Sequence, residues 1–180
     1  MIAKVVRFAG TGALLAGGFT LTGCLKSEEF PDEPILTFKS VEQTHELFPN
    51  GVAPERVVYV TVEFTDGDGD IGLDEGDTLS PFGTGEPHNF NTGCVFEMLR
   101  NGAWTDVDSE FPGRIKRISP SGQDPTLNGE IRWKVGPYPG TRTILQPDIL
   151  AGDTMRVKMR LEDRALHMSN EAVSGAFVLE

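Results

Sequence analysis

Apolar and polar residues alternate in three separate segments of this chain, and that period of two most constrains its fold. The clearest segment is Thr154–Glu162, in which four apolar residues alternate with charged ones. Val57–Phe64 and Glu130–Val135 show the same pattern, and the first is rich in β-branched residues. Successive side chains of a strand point to opposite faces, so the alternation predicts half-buried β-strands. No segment shows a sustained helical period.

Shorter apolar segments separated by turn residues complete the predicted fold. Asn101-Gly102 indicates a type I′ hairpin turn, because both residues tolerate a positive φ. Trp133 shares one face of its predicted strand with Ile131 and Val135 and is expected in the core. The class predicted is all-β, with a single antiparallel Ig-like β-sandwich of about eight strands over residues 35–180. The further strands predicted are Ile35–Val41, Cys94–Leu99, Ala103–Val107, Arg114–Ser119 and Val173–Leu179.

The first 23 residues are typical of a secretion signal. Lys4 and Arg7 precede an apolar segment, Phe8–Phe19, that is shorter than the roughly 20 residues a membrane-spanning helix needs. The segment ends in Leu-Thr-Gly-Cys, which resembles a bacterial lipobox and predicts lipidation of Cys24. The alternative is an ordinary signal peptide followed by a chance cysteine. Residues 24–34 are predicted to be a flexible acidic tether, either a surface-export signal or a plain linker.

Charge and cysteine content narrow the class of function. Removal of residues 1–23 takes the formal net charge from −11 to −13, because Lys4 and Arg7 are lost with them. A protein this acidic is not expected to bind nucleic acid or an anionic membrane surface through its charge. If Cys24 carries lipid, Cys94 has no disulfide partner, and its apolar surroundings predict a buried, inert thiol.

Six carboxylates and no base lie within the twelve residues Asp66–Asp77, directly after the predicted strand Val57–Phe64. Carboxylates at such density repel one another unless a cation lies among them, and oxygen ligands at alternate positions suit Ca²⁺. An EF-hand loop is excluded, since Ile71 stands where that loop needs glycine and no flanking helices are predicted. The alternative is a solvated acidic turn. The ligands predicted within this loop are Asp66, Asp68, Asp70, Asp74 and Asp77.

A second motif, Asp163-Arg164-Ala165-Leu166-His167-Met168-Ser169-Asn170, lies between the last two predicted strands. It is similar to the Asp-x-Ala-Gly-Asn-x-Ser turn of bacterial Ig-like domains, with Leu166 and His167 in place of Gly and Asn. Together with Asp-Gly-Asp-Gly-Asp-Ile-Gly at 66–72 and the Asn101 hairpin, it resembles a family of uncharacterised lipoproteins from the Bacteroidetes. That resemblance implies an Ig-like sandwich and no activity. If both loops lie at one end of the sandwich, Asp163 joins the same ion.

The long connection Ser80–Gly93 and the Asn101 hairpin carry the candidate ligand residues. These are Phe82, His88, Phe90 and Trp104. Long loops of compact domains often form binding sites, although this one could simply cover an end of the sandwich. The histidines show neither zinc spacing nor a nucleophile motif, so an enzyme is not expected.

The function predicted is therefore a binding or scaffold module with a structural Ca²⁺ ion. It would be anchored by its N-terminal lipid to the outer membrane, on the periplasmic or the outer surface, and would bind an unknown protein or glycan but no nucleic acid. The alternatives are a secreted hydrolase that uses paired carboxylates, as glycosidases do, and a glycan-binding accessory protein.

Overall fold

The computed structural model describes residues 29–47, 54–119, 125–135 and 150–180, and within these ranges it is an antiparallel β-sandwich without helices. The prediction of an all-β fold is confirmed. The signal segment 1–23 and Cys24 lie outside the described residues. The strands are β1 (Ile35–Glu46), β2 (Glu55–Asp66), β3 (Thr92–Arg100), β4 (Ala103–Gly113), β5 (Leu127–Val135), β6 (Thr154–Leu161), β7 (Ala172–Val173) and β8 (Phe177–Val178).

Two open sheets form the sandwich. The smaller has the strand order β1-β2-β5, and the larger has the order β4-β3-β6-β7, with β8 also paired to β6. Every strand pair is antiparallel. One apolar cluster fills the space between them with Val58, Val60, Val62, Ile131 and Trp133 from the smaller sheet and Phe96, Met155, Val157, Met159 and Leu161 from the larger.

The alternation of the sequence matches the burial of the strands. In β6 the four apolar residues are buried while Arg156, Lys158 and Arg160 point to solvent or are half-buried. Trp133 is in the core, with 2% of its surface exposed, as predicted. Its ring packs on Gly113 of the opposite sheet, where a Cβ would lie 1.9 Å from ring carbons. Glycine at 113 therefore lets the two sheets approach each other.

Three non-strand residues of two turns have a positive φ. Asn101 and Gly102 have φ values of 51° and 78°, which confirms the positive φ predicted at both positions of the β3–β4 hairpin turn. Leu166 also has a positive φ, 70°, at the position where the related turn has glycine. Leucine rarely adopts this left-handed conformation, so the surrounding contacts must hold it there.

One strand prediction was wrong. Residues 114–119 form no regular strand and instead run beside the acidic loop, joined to it through one isolated bridge between Leu73 and Lys116. Backbone N–H groups of Leu73 and Ile118 donate to the carbonyls of Ile115 and Ile71. Ile115 and Ile118, the apolar residues of this predicted strand, are both core residues of an irregular segment. The predicted strand Val173–Leu179 is likewise reduced to the two short strands β7 and β8.

Candidate metal centre and neighbouring groove

Four aspartates from two distant parts of the chain meet at one end of the sandwich. Asp66 is the last residue of β2, Asp68 and Asp70 follow it, and Asp163 lies just after β6. One carboxylate oxygen from each lies within 4.8 Å of those of the others. The proximity of Asp163 to Asp66 and Asp70 that we predicted from topology is therefore present. We refer to these four residues as the aspartate cluster. Their arrangement could hold a metal ion.

Asp66 is the buried member on which the cluster depends. Its side chain has no exposed surface, and its Oδ1 atom has no hydrogen-bond partner among the described residues. Its Oδ2 atom accepts a hydrogen bond of 3.0 Å from the backbone N–H of Asp70. A buried carboxylate oxygen without a partner is costly, because it has lost its water and gained nothing in exchange. A cation in the cluster would provide the missing partner.

The electrostatics of the cluster disfavour four negative charges without a cation. Burial and the neighbouring charges of Asp68 and Asp70 raise the pKa of Asp66 to about 7. Burial also raises the pKa of Asp68, with the charge of Asp70 adding to the effect. The pKa of Asp163 is raised by burial as well, although hydrogen bonds from His167 oppose the shift. All three shifts have the sign expected when like charges share a poorly solvated site.

Asp163 is held by the turn that follows it. Its Oδ1 atom accepts the backbone N–H of His167 at 2.7 Å, and its Oδ2 atom lies 2.9 Å from Nδ1 of the same histidine. The backbone N–H of Asp163 donates to the carbonyl of His167, which closes the turn. Asp163 raises the pKa of His167 in return. His167 therefore orients one carboxylate of the cluster through two hydrogen bonds.

Ser169 and Asn170, at the end of the same motif, form hydrogen bonds to both sheets. Ser169 Oγ accepts a hydrogen bond from the buried N–H of Leu161, the last residue of β6. The side chain of Asn170 forms two hydrogen bonds with the backbone of Leu36 in β1, accepting from its N–H at 2.7 Å and donating to its carbonyl at 2.9 Å. Ser169 and Asn170 thereby fix the loop that carries Asp163 to the strand that pairs with β2.

The acidic loop is also fixed from the N-terminal side. The N–H of Gly67 donates to the carbonyl of Pro31 at 2.8 Å, so the end of the predicted tether contacts the domain. A Cβ at Gly67 would lie 2.3 Å from the carbonyl oxygen of Phe30. Only glycine permits this approach of the two backbones. Phe30 and Pro31 therefore lie against the acidic loop at Gly67, between Asp66 and Asp68 of the cluster.

The structure separates Asp74 and Asp77 from the aspartate cluster. Asp77 forms a paired interaction with the guanidinium of Arg164, which lowers the pKa of the Asp77 carboxyl. Asp74 lies 3.2 Å from Arg117 Nη1. Both aspartates had been predicted as ligands together with Asp66, Asp68 and Asp70 of the same loop. Their negative charges are instead balanced by arginines that are distant in sequence.

Arg164 joins the two loops around the cluster. Its side chain binds Asp77, and its backbone N–H donates to Asp70 Oδ1 at 3.2 Å. The guanidinium also lies 5.5 Å from the ring centroid of Phe82, so this predicted ligand residue packs under a cation. Nothing in the local sequence pairs Arg164 with Asp77, which lies 87 residues away.

Arg114 is a structural residue that the sequence analysis missed. Its guanidinium donates to the carbonyl oxygens of Phe82, Asn89, Asp74 and Asp77, at distances between 2.9 and 3.1 Å. These carbonyls belong to the acidic loop and to the long connection that follows it. One cation thus replaces the regular backbone pairing that both segments lack.

Replacing Arg114 with methionine should destabilise the protein by about 2–4 kcal/mol, because four carbonyls lose a charged donor while the aliphatic stem is kept. Urea unfolding would measure the loss. Lys116→Met is the matched control, since its ion pair with Glu75 is largely exposed and should contribute less than about 1 kcal/mol. Equal effects of the two substitutions would contradict the role given to Arg114.

A groove of about 590 Å³ lies on the outer face of the larger sheet, next to the cluster. We call it the Gly93 groove, defined by Phe90, Gly93, Glu110, Lys158, Arg160 and Glu162. Glu162 precedes Asp163 directly, so the groove and the cluster adjoin. Its carboxylate is 2.8 Å from Nδ1 of His88. Glu162 lines the groove together with Lys158 and Arg160, and 8% of its surface is exposed.

The four predicted ligand residues lie in different environments. Phe90 is half-exposed and lines the groove, and His88 holds Glu162 beside it. Phe82 packs under Arg164. Trp104 lies outside the groove on β4, with Arg156 stacked 4.6 Å from its ring centroid. Cys94 is fully buried, and burial raises the pKa of its thiol, in agreement with the inert residue predicted.

Comparison with known proteins gave no match to a family model, a curated protein or a solved structure. Within the described ranges the chain has no helix long and apolar enough to cross a membrane.

Proposed function

We propose that this chain is a lipid-anchored binding module of the bacterial cell envelope whose β-sandwich is ordered by a Ca²⁺ ion in the aspartate cluster. The observation that carries the metal site is the buried Asp66, whose Oδ1 atom has no hydrogen-bond partner within the described ranges while three further carboxylates lie within 4.8 Å. Two of the four carboxylates belong to buried residues, and burial makes their negative charge unfavourable without a cation.

Calcium is proposed over other metals because of the donor set. All four side chains offer oxygen, and Ca²⁺ accepts six to eight oxygen ligands in irregular geometry. Mg²⁺ favours few carboxylates and several waters, and zinc favours nitrogen and sulfur. His167 is the nearest such donor, but its Nδ1 atom is already engaged with Asp163. The ion would join the end of β2 to the loop after β6, and so join the two sheets.

The anchoring and location are proposals from the sequence. Cys24 in its lipobox would carry the lipid, and the short segment before residue 35 would keep the domain near the outer membrane, on its periplasmic or outer side. The resemblance to the uncharacterised Bacteroidetes lipoproteins supports the same placement. The hydrolase alternative remains a prediction, and the carboxylates that line the Gly93 groove are Asp106, Glu110, Glu162 and Glu171.

The metal proposal is tested by thermal unfolding with and without Ca²⁺. A ligand at one hundred times its dissociation constant stabilises the folded state by about 2.7 kcal/mol, which raises the Tm of a domain of this size by about 5–10 °C. We therefore expect protein treated with chelator to melt at a lower temperature and excess Ca²⁺ to restore the higher value. Mg²⁺ at the same concentration should restore much less. Identical melting curves in chelator and in Ca²⁺ would overturn the proposal.

A further inference from the structure

We propose that the Gly93 groove binds a neutral oligosaccharide. This assignment rests on the proposed function in one respect, since it gives a ligand class to a protein proposed only to bind. The groove is formed by side chains of the larger sheet and of the loop before β3, and it needs no ion for its construction. Its volume of about 590 Å³ falls within the range of small-molecule sites.

The floor of the groove exists because residue 93 has no side chain. Gly93 lies inside β3, paired with Pro112 on one side and Arg160 on the other, and its φ is not in the left-handed region. Backbone conformation therefore does not require glycine there. A Cβ at this position would lie 2.9 Å from Glu110 Oε1, a flexible side-chain atom above the floor. Glycine inside a strand often marks a bulge, a bend or a close approach to the backbone by a ligand or another chain segment, and here the Glu110 carboxylate lines the open space above Gly93.

The walls of the groove offer hydrogen-bond donors and acceptors side by side. Lys158 lies 2.9 Å from Asp106, and Arg160 lies 3.0 Å from Glu171. Glu162 is held in the same way by His88. A sugar hydroxyl both donates and accepts, so it can bridge such a pair without breaking it. At these three pairs a neutral polyhydroxylated ligand can form hydrogen bonds without displacing either partner, whereas a charged ligand would have to displace one.

The rim adds an apolar surface suited to the flat face of a sugar ring. Phe90 exposes 51% of its surface and Met168 exposes 52%, and both line the groove. An exposed aromatic ring beside polar groups can pack on the C–H face of a sugar while the hydroxyls bind the charged walls. A lipid tail would displace water from these charged walls and offer no hydrogen bond in its place. The carboxylates of the groove outnumber its cations, so the main competing ligand is a basic peptide.

The test uses the purified protein in Ca²⁺ on a printed array of neutral oligosaccharides of four to six hexose units, followed by titration calorimetry with the strongest binder. Gly93→Phe, which fills the groove, and Phe90→Ala, which removes the stacking ring, should each raise the Kd at least tenfold. Phe90→Tyr should keep binding within about threefold. Leu79→Ala is the control, because Leu79 is 81% exposed on the neighbouring loop and lies outside the groove.

The outcomes separate this assignment from the proposed function. Binding lost in Gly93→Phe and Phe90→Ala, with unchanged Ca²⁺-dependent melting of both variants, supports the groove as a saccharide site. Absence of any array binder, saccharide binding that neither substitution weakens, or binding only of an oligolysine peptide in a salt-sensitive manner would overturn it. The Ca²⁺ response of the wild-type protein is recorded in the same samples, so failure of the metal proposal is seen independently.

Discussion

Asp66→Asn is expected to raise the Tm of the ion-free protein and at the same time to remove its response to Ca²⁺. The asparagine keeps an oxygen that can accept the N–H of Asp70, as Asp66 Oδ2 does. It removes a negative charge that burial and two neighbouring aspartates make unfavourable. It also directs an amide donor toward the remaining carboxylates of the cluster. Above neutral pH the gain in ion-free stability should be on the order of 2–4 kcal/mol.

The same substitution should lower Ca²⁺ affinity strongly, because it removes the most buried negative ligand of the proposed site. Melting curves in chelator and in excess Ca²⁺ measure both effects on one sample. The matched control is Glu75→Gln, on the same loop but 87% exposed and paired only with Lys116, which should leave the Ca²⁺-induced shift unchanged. A variant that is less stable than wild type in chelator would show that Asp66 is needed for folding by itself, without an ion.

The sandwich could be predicted because its strands are amphipathic. Each buried residue in β6 is flanked by residues that face outward, so the period of two is visible in the sequence. The segment 114–119 shows the limit of this reasoning. Ile115 and Ile118 are buried, but their backbone groups pair with the acidic loop in place of a neighbouring strand. Apolar spacing reports burial, and it does not report which backbone the segment will bind.

The cluster was only partly predictable for a similar reason. Asp66, Asp68 and Asp70 occupy alternate positions in the sequence. The proximity of Asp163 followed from the expectation that both loops lie at one end of a sandwich. Asp74 and Asp77 do not belong to the cluster because they pair with Arg117 and Arg164, which lie 43 and 87 residues away in sequence. Pairings at such distances leave no local pattern. Arg114 was missed because its partners are backbone carbonyls, which every residue has.

The groove could have been suspected from Gly93 in the sequence. Gly93 had been treated as the end of a loop, whereas it is the second residue of β3. A glycine in a strand whose φ does not need it is a clue to close approach by another group. That clue becomes visible only after the strand boundary is known. Phe90 and His88 were selected from the loop composition alone, and the structure places both beside the same concave surface.

Without Ca²⁺ the protein should lose stability as the pH rises from about 4 to 7. The pKa of Asp66 is raised from 3.8 to about 7 in the folded state, so between these values the folded protein binds more protons than the unfolded chain. The free energy of unfolding must then fall with increasing pH, by up to about 1.4 kcal/mol per pH unit and about 4 kcal/mol in all. Above pH 7 this contribution becomes constant.

The interval from pH 4.5 to 6 isolates the aspartate cluster. Asp77 and Glu97 have pKa values lowered from 3.8 and 4.5, so their contributions are present above these ordinary values and are lost as the pH falls below them. His167 has a raised pKa, and its stabilisation is lost above its ordinary value of 6.5. Urea unfolding in metal-free buffers should therefore show a steeper decline in wild type than in Asp66→Asn, in which the raised pKa values of Asp68 and Asp163 leave a smaller one. In excess Ca²⁺ the decline should disappear, because the ion takes the place of the proton, and the Ca²⁺-induced gain should increase up to about pH 7. A flat ion-free profile in wild type would mean that the Asp66 carboxylate is well solvated, which removes the reason for an ion at this site.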